Sequence, residues 1–209
     1  MKLLRQIRHS PCNEFLMASS GLHTEQLDFL LNHLATRYAA DNIVISLGVF
    51  PADCIPSLKA VKHDACFIVN TDPNGDPGKH WLAFYYDLDN RTLEYFDSFA
   101  FQLKKHKYVH STLSIRKLEI LPVNNTDNLQ SFNSSVCGFY CILYLHWRMR
   151  FNDSFLAITK IRKLSNIDEL RDVEVVNAVH KIMHEHKCSI LPNVFTRLSQ
   201  TSCSLSKYK

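Results

Sequence analysis

Apolar and polar positions along the first part of the chain predict a helix followed by short strands. Residues 24–39 place leucines at helical spacing behind Thr24, a residue type that caps helices, and so predict a first helix. Apolar runs at residues 42–47 and 66–71 predict two strands, and a loop is expected over residues 48–56. The pattern therefore indicates a domain that mixes helices and strands.

Two further strand-like runs, at residues 80–86 and 91–99, follow a turn rich in glycine and proline at residues 72–78. The short polar link between the two runs predicts an antiparallel hairpin. If the residues that flank the link pair with each other, His80 falls opposite Asp97, where Cβ atoms on one face are about 5 Å apart. The predicted hairpin thus brings a histidine next to a carboxylate.

The remaining chain predicts four elements besides its central segment. Residues 101–114 are amphipathic and basic and predict a helix, and residues 115–123 predict a fifth strand. Residues 154–163 and 168–186 predict two more helices, and a frayed tail is expected at about residues 195–209. One side of the last helix carries Leu170, Val173, Val176, Val179 and Ile182.

The central segment, residues 130–147, changes from polar to apolar and predicts a buried helix. Residues 139–147 are apolar on nearly every face, and the Asn-Ser-Ser at residues 133–135 consists of types that cap a helix N-terminus. Cys137 falls in the first turn, where unpaired backbone N–H groups and the positive end of the helix dipole stabilise a thiolate. Cys137 is therefore a candidate nucleophile.

The order of these elements predicts an α+β fold, in which helices flank a central mixed sheet in a single domain over residues 1–209. A chain of 209 residues with 46% apolar types can bury a sizeable core. No apolar run reaches the roughly 18 to 20 residues of a membrane span, and the charged start is unlike a secretory signal. We expect a protein made in the cytosol, neither secreted nor membrane-bound, whose seven cysteines are reduced thiols.

Positive charge is concentrated in one region of a chain whose net charge is only +4. Two interpretations stay open for this region, a solvated face and a surface that binds a polyanion. The residues concerned are Lys104, Lys105, Lys107, Arg116 and Lys117, together with His106 and His110.

A cysteine enzyme that attacks a carbonyl needs a thiolate, a base, a group that orients the base, and donors for the oxyanion. His80 is the candidate base, Asp97 the orienting acid, and Gln130 with the Cys137 backbone N–H the oxyanion donors. Each residue taken alone has a simpler interpretation, as a buried thiol, a strand-end histidine or a turn residue. Their combination in this order predicts nucleophilic catalysis.

Three motifs carry this combination: Gly-Lys-His-Trp at residues 78–81, Leu-Glu-Tyr-Phe-Asp-Ser-Phe at residues 93–99, and Gln-Ser-Phe-Asn-Ser-Ser-Val-Cys-Gly-Phe-Tyr-Cys at residues 130–141. In type and spacing they resemble the adenovirus protease (adenain) family, within the wider group of ubiquitin-like-protein proteases. The resemblance implies the catalytic roles just given. It also implies that Trp81 packs beside the imidazole and that Trp81 and Gly138 support the base or the substrate.

The resemblance implies a viral-type cysteine endopeptidase that cuts capsid or core precursor proteins at glycine-containing sites, in the host nucleus and the virion. It suggests a monomer without a metal or small-molecule cofactor. It also suggests an activating viral peptide, and DNA bound through the five basic residues named above. Two alternatives remain, a protease that removes ubiquitin-like modifiers and a catalytically weak docking module. A zinc site is a third, although no pair of cysteines has the usual spacing.

Two departures from the family pattern limit what the resemblance implies. The family's acid is usually Glu, whereas Asp97 is one methylene shorter. In the family a cysteine on the strand before the Gln loop takes a disulfide to the activating peptide, and residues 117–121 contain none. An activating peptide is therefore not expected to be tethered in this way, which leaves Cys203 or no peptide at all.

Overall fold

The computed structural model describes residues 21–38, 44–114, 119–123 and 127–185. Residues 20–179 form one compact unit, and residues 1–19 with 180–209 form a second, of which only residues 180–185 are described. The described residues contain five α-helices and five strands: α1 (Thr24–Tyr38), β1 (Val44–Phe50), β2 (Asp64–Asn70), β3 (Trp81–Asp87), β4 (Thr92–Phe96), α2 (Lys107–Ser114), β5 (Glu119–Pro122), α3 (Cys137–Phe151), α4 (Ser154–Arg162) and α5 (Asp168–Glu185).

The five strands form one mixed sheet in the order β1-β2-β3-β4-β5. The outer pairs β1/β2 and β4/β5 are parallel, and the inner pairs β2/β3 and β3/β4 are antiparallel. The predicted α+β fold with a mixed sheet is confirmed. The loop predicted from residue 48 is wrong at its start, because a bulge between Ser46 and Gly48 lets β1 continue to Phe50. Gly48 has φ of +108°, which glycine adopts without strain.

The predicted β3–β4 hairpin is confirmed, but its register is wrong by two residues. Tyr86 pairs with Leu93, not with Arg91, and Asp87 pairs with Thr92 at the closed end. Turn chemistry explains the shift: the Asp87 carboxylate accepts the Asn90 backbone N–H at 2.9 Å, and Arg91 takes a left-handed φ of +55°. Because side chains alternate with a period of two, an even shift leaves each one on its expected face.

Both faces of the sheet are covered, since β2 and β3 are apolar at almost every position. α1 packs on β1 and α3 packs on β3, and Phe96 stacks on Tyr144 of α3 with 4.5 Å between ring centroids. The opposite face buries a cluster with α2 and the chain after β1. That cluster contains Ala52, Ile55, Leu58, Ala65, Phe67, Val69, Leu82, Phe84, Tyr86, Leu93, Tyr95, Val109 and Leu113.

The central helix α3 is buried from Cys137 to His146, as its apolar sequence predicts. Its N-cap is Val136 and has no side-chain hydrogen bond, so the predicted capping by residues 133–135 is wrong. Farther along α3, Arg148 makes a two-pronged ion pair with Glu94 of β4, at 2.7 Å from Nε to Oε2 and 3.0 Å from Nη2 to Oε1. This buried pair ties the helix to the sheet.

The helices predicted at residues 24–39, 154–163 and 168–186 are confirmed, each one residue shorter at its end, and the strand predicted at residues 66–71 spans Asp64–Asn70. The tail expected at about residues 195–209 lies outside the described residues. The helix predicted from residue 101 begins only at Lys107, after a short 3-10 turn at Leu103–Lys105. Of the predicted fifth strand, residues 119–122 are β5 and residues 115–118 lie outside the described residues. Leu170 and Val173 of α5 are 54% and 55% exposed, because the helix turns Val175 and Val179 inward. Within the described residues, no helix has the length and apolar character that a bilayer crossing requires.

Candidate active site

His80 and Asp97 lie just beyond the paired ends of β3 and β4 and contact each other directly. His80 Nε2 is 2.7 Å from Asp97 Oδ1, and both side chains are almost fully buried. The predicted meeting of these residues is therefore observed, although by a different register from the predicted one. Since strand pairing ends at Phe96, neither side chain is held by the sheet ladder itself.

Asp97 accepts several hydrogen bonds besides that of His80. The backbone N–H of Phe99 donates to Oδ1 at 2.8 Å, and the Tyr95 hydroxyl donates to Oδ2 at 3.3 Å. His106 Nε2 lies 2.9 Å from Oδ2. The carboxylate is thus surrounded by donors, an arrangement that favours its charged form.

The electrostatics of the pair follow from this contact. Burial raises the pKa of Asp97, but hydrogen bonds from His106 and His80 outweigh it and hold the pKa well below its usual range. Burial lowers the pKa of His80, but the hydrogen bond to Asp97, the charge of Asp97 and the neighbouring Cys137 raise it to about 9. His80 is therefore expected to be an imidazolium at neutral pH.

Cys137 is the first residue of α3 and is almost fully buried. The first intrahelical bonds, from the Phe139 and Tyr140 N–H groups, go to the Val136 carbonyl, so the Cys137 N–H precedes the hydrogen-bond ladder of the helix. Since His80 Nε2 is engaged with Asp97, the ring nitrogen left for the thiol is Nδ1. Nδ1 is buried and has no hydrogen-bond partner among the described residues.

Gln130 is fully buried in the loop before α3. Its side-chain oxygen accepts the Ser98 hydroxyl at 2.7 Å, and its Nε2 donates to the Ser134 carbonyl at 2.9 Å and hydroxyl at 3.0 Å. The backbone N–H groups of Leu129 and Gln130 both point to the Ser98 carbonyl, at 2.8 and 3.2 Å. The amide is therefore anchored at its oxygen end to the residue after Asp97.

Trp81 and Gly138 lie next to each other at the start of α3. The Trp81 indole N–H donates to the Leu22 carbonyl at 3.1 Å, and a Cβ on Gly138 would lie 3.4 Å from Trp81 Cδ1. The ring that packs on the imidazole is Phe99, with 4.8 Å between centroids, where Trp81 was expected. The difference follows from strand alternation, since His80 and Trp81 are neighbours in sequence and point to opposite faces.

Sequence reasoning missed three residues that touch the candidate site. Ser98 and Phe99 directly follow Asp97, and the Asp-Ser-Phe motif is the signal that could have found them. His106 was assigned to the basic surface, but its side chain is only 9% exposed and binds Asp97. No local pattern marks His106, because its contact depends on how the chain enters α2.

The basic region is only partly described. Lys104, Lys105 and Lys107 are exposed on the 3-10 turn and at the start of α2. Arg116 and Lys117 lie outside the described residues. Among the residues that the structure covers, no group of three or more His, Cys, Asp or Glu is arranged to hold a metal ion.

Comparison with known proteins gives consistent matches. A family model described as adenovirus endoprotease matches residues 46–191. The protease of Porcine adenovirus A serotype 3 is 29% identical over 129 residues, which are 56% of this chain and 63% of that protein. The protease of Bovine adenovirus B serotype 3 is 27% identical over 161 residues, 70% of this chain and 76% of that protein. The crystal structure of the ASFV protease shares the fold, with a TM-score of 0.53 at 18% identity over 82% of this chain and 69% of that one.

Proposed function

The chain belongs to the adenovirus endoprotease family of cysteine peptidases, and on that premise we propose that it is an endopeptidase with Cys137 as nucleophile and His80 as base. The observation that supports this proposal most strongly is the environment of His80. A buried imidazole has a pKa of about 9 only because Asp97 and Cys137 stabilise its charged form. That is the electrostatic condition for a thiolate–imidazolium pair.

In the proposed first step the Cys137 proton rests on His80, and the thiolate sulfur attacks the substrate carbonyl carbon. A carbon–sulfur bond forms while the carbonyl electron pair moves onto the oxygen. As the C–N bond breaks, the imidazolium gives its proton to the leaving amine, and an acyl-enzyme remains. Asp97 stays ionised throughout and holds the imidazole by its Nε2.

The oxyanion is stabilised by the Cys137 backbone N–H and the Gln130 side-chain amide. Gln130 Nε2 now donates to the carbonyl and hydroxyl of Ser134, so the proposal requires Ser134 to move and release one amide N–H to the substrate oxygen. The Ser98 bond to the amide oxygen supports this role, because it fixes the end of the side chain that does not donate. Two such donors lower the barrier by several kcal/mol, by analogy with a loss of about 100- to 1000-fold when one is removed.

Deacylation uses the same groups in reverse. His80, now neutral, takes a proton from a water molecule, and the hydroxide attacks the thioester carbonyl. The carbon–sulfur bond breaks, the acid product leaves, and the proton returns to the Cys137–His80 pair. Each step is complete with the chain's own residues, so no metal or small-molecule cofactor is proposed.

The proposed substrates are viral capsid or core precursor proteins, cut at glycine-containing sites in the host nucleus and the virion. Support comes from relatives that are proteases of adenoviruses. We propose that the protein acts as a monomer, and that an activating peptide, if one is used, binds without a disulfide to β5. Glu119–Pro122 contains no cysteine that could make such a bond.

Peptide cleavage tests the proposed activity directly. Fluorogenic Leu-x-Gly-Gly peptides and intact ubiquitin-like conjugates are offered to wild type, Cys137→Ala and Cys141→Ala. Cys141 is a matched control, one turn farther along α3 and bonded to the Trp81 carbonyl. Peptide turnover lost only in Cys137→Ala supports the proposal. Turnover of conjugates alone favours a protease that removes ubiquitin-like modifiers. Equal turnover by wild type and both variants refutes the role of Cys137.

DNA is the proposed second partner, and the three described lysines support it. If Lys104, Lys105 and Lys107 each neutralise a phosphate, replacing all three by Gln should reduce the salt slope of DNA binding by up to about 3. Replacing Lys59 and Lys62, which are also exposed, is the control for a general loss of charge. An unchanged slope in the triple variant would remove these lysines from the proposed interface.

A further inference from the structure

Two histidines bind the two oxygens of one buried carboxylate. His80 Nε2 is 2.7 Å from Asp97 Oδ1, and His106 Nε2 is 2.9 Å from Oδ2. The His106 side chain is 9% exposed and that of Asp97 is 1% exposed, so neither contact is a surface ion pair. A second imidazole in this position is more than the acid of a catalytic triad requires.

We propose that His106 is a positioning residue that fixes the Asp97 carboxylate so that Oδ1 faces the His80 ring. The inference rests on the proposed function only in giving His80 the role of base. His106 is bonded to Asp97, and its ring centroid lies 5.9 Å from that of His80, so we expect its effect on turnover to pass through these two residues.

His106 is the closer of the two described donors to Oδ2, at 2.9 Å. Apart from His106, its described donor is the Tyr95 hydroxyl at 3.3 Å, and that hydroxyl also donates to the Phe101 carbonyl at 2.8 Å. The shorter bond is the better one, so Tyr95 is chiefly a partner of Phe101. His106 therefore holds Oδ2 more firmly than Tyr95 does. Without His106, a buried carboxylate oxygen loses the shorter of these two bonds, which costs more than an ordinary exposed hydrogen bond.

The position of His106 is itself fixed by the backbone. Its N–H donates to the Leu103 carbonyl at 2.9 Å, which closes the 3-10 turn, and its carbonyl accepts the His110 N–H at 2.9 Å in the first turn of α2. Its ring lies 6.3 Å from those of Tyr95 and Phe101 and 5.9 Å from that of His80. Because these contacts restrict the orientation of the His106 side chain, His106 can in turn restrict the orientation of the Asp97 carboxylate.

Loss of the His106 bond is expected to affect both the orientation of the His80 ring and the stability of its charged form. When Oδ2 is released, the carboxylate can rotate about its Cβ–Cγ bond, and the 2.7 Å bond from His80 to Oδ1 lengthens or bends. The imidazolium is then less stabilised and the ring less aligned with the thiol. The titratable groups described in contact with the His106 ring are Asp97, His80 and Tyr95. Cys137 in turn influences the charge of His80.

The test compares His106→Leu, which removes the donor, with His106→Gln, whose amide nitrogen can replace Nε2 as donor to Oδ2. His110→Leu is the matched control, because His110 lies one turn farther along α2 and is exposed. The readouts are kcat and KM for peptide cleavage and the pH profile of iodoacetamide alkylation at Cys137. Thermal unfolding shows whether each variant is folded.

The expected result is a fall in kcat of up to about 100-fold in His106→Leu with KM within about twofold, because a misaligned base slows the chemical step. Alkylation of Cys137 near pH 6 should slow in parallel, His106→Gln should recover most of both, and His110→Leu should match wild type. If His106→Leu does not fold, His106→Asn replaces it, because its shorter amide cannot reach Oδ2.

A leucine variant with the wild-type kcat and alkylation profile overturns the inference, as does a glutamine variant no better than leucine. The alkylation readout requires no peptide substrate. If wild type cleaves no peptide yet the alkylation profile depends on His106 in the way described, the proposed function fails while the positioning role of His106 stands.

Discussion

Replacing Asp97 by asparagine keeps the shape of the side chain but removes the negative charge beside His80. The amide oxygen can still accept the Phe99 N–H, which now donates to Oδ1 at 2.8 Å. What is lost is the charge that stabilises the imidazolium, together with the acceptor that Oδ2 offers to His106 and Tyr95. The Asp97→Asn variant therefore removes the charge and this acceptor with little change in side-chain volume.

The magnitude follows from the pKa of His80, which rises from 6.5 to about 9 in the folded protein. Since each pKa unit corresponds to 1.36 kcal/mol, the imidazolium is favoured by about 3 kcal/mol. Burial works against this preference, and both burial and the contribution of Cys137 stay in the variant, so the pKa of His80 should fall from about 9. The Cys137 thiolate then loses part of the positive charge that stabilises it.

The assay is the second-order rate of iodoacetamide alkylation between pH 5 and 9, located by peptide mass spectrometry. Wild type should react fastest where His80 is an imidazolium, below its pKa of about 9, and Asp97→Asn should react up to about 100-fold more slowly near pH 6.5. Cys66 serves as an internal background, because it is fully buried and burial raises its pKa to about 12.

Two matching profiles would refute this reasoning, provided that both proteins unfold at similar temperatures. That outcome would mean that Asp97 does not hold the imidazolium, whatever its distance from the ring. A variant that slows equally at every pH would point instead to lost access to the thiol, which the charge argument does not predict.

Three further substitutions test other parts of the structure. Arg148→Leu leaves Glu94 buried without its partner and should lower the free energy of unfolding by about 3 to 5 kcal/mol, measured by urea denaturation. Ser98→Ala removes the donor to the Gln130 amide oxygen and should reduce kcat by up to about 100-fold, measured by peptide cleavage, while alkylation of the thiol is unchanged. Gly138→Ala places a Cβ 3.2 Å from two leucine carbons and should cost about 1 to 3 kcal/mol of stability, seen as a lower Tm.

Each of these three has an outcome that contradicts it. Arg150→Leu, two residues along the same helix but exposed, is the control for the first, and an equal loss in both would show that the buried pair adds nothing. Equal slowing of turnover and alkylation in Ser98→Ala would mean that Ser98 acts on the thiol or its base. An unchanged Tm in Gly138→Ala would show that the start of α3 can shift to admit a methyl group.

The sequence predicted those parts of the fold that depend on neighbours in the chain. Short apolar runs between turn residues located β2, β3 and β4, and a long apolar run located α3 with Cys137 at its start. The hairpin register was missed because it depends on the side-chain bonds between Asp87 and Asn90. With these bonds the four-residue link between the strands lies at residues 88–91, one position later than predicted. Register is decided by such local bonds and not by the apolar pattern alone.

Other features depend on contacts that no local pattern encodes. Arg171 and Asp172 of α5 are charged residues that a helical pattern would expose, yet both are buried. Arg171 donates to the Leu129 carbonyl at 2.8 Å, and Asp172 accepts the Ser131 N–H at 3.3 Å and the Tyr140 hydroxyl at 2.9 Å. They satisfy the backbone of the loop that carries Gln130, and only the tertiary structure brings that loop to α5.

The segment Asp97-Ser98-Phe99 links groups that lie far apart in the sequence. Asp97 accepts from His80, Ser98 holds Gln130 through both its hydroxyl and its carbonyl, and Phe99 packs on the imidazole. The proposed base and the proposed oxyanion donor are therefore anchored on adjacent residues of one short connection that follows β4. Because that connection lies beyond the last residue paired between β3 and β4, its shape depends on side-chain and backbone bonds outside the ladder of these two strands. A disturbance at one of the three residues should then reach the groups held by the other two, so substitutions within this segment are expected to be non-additive.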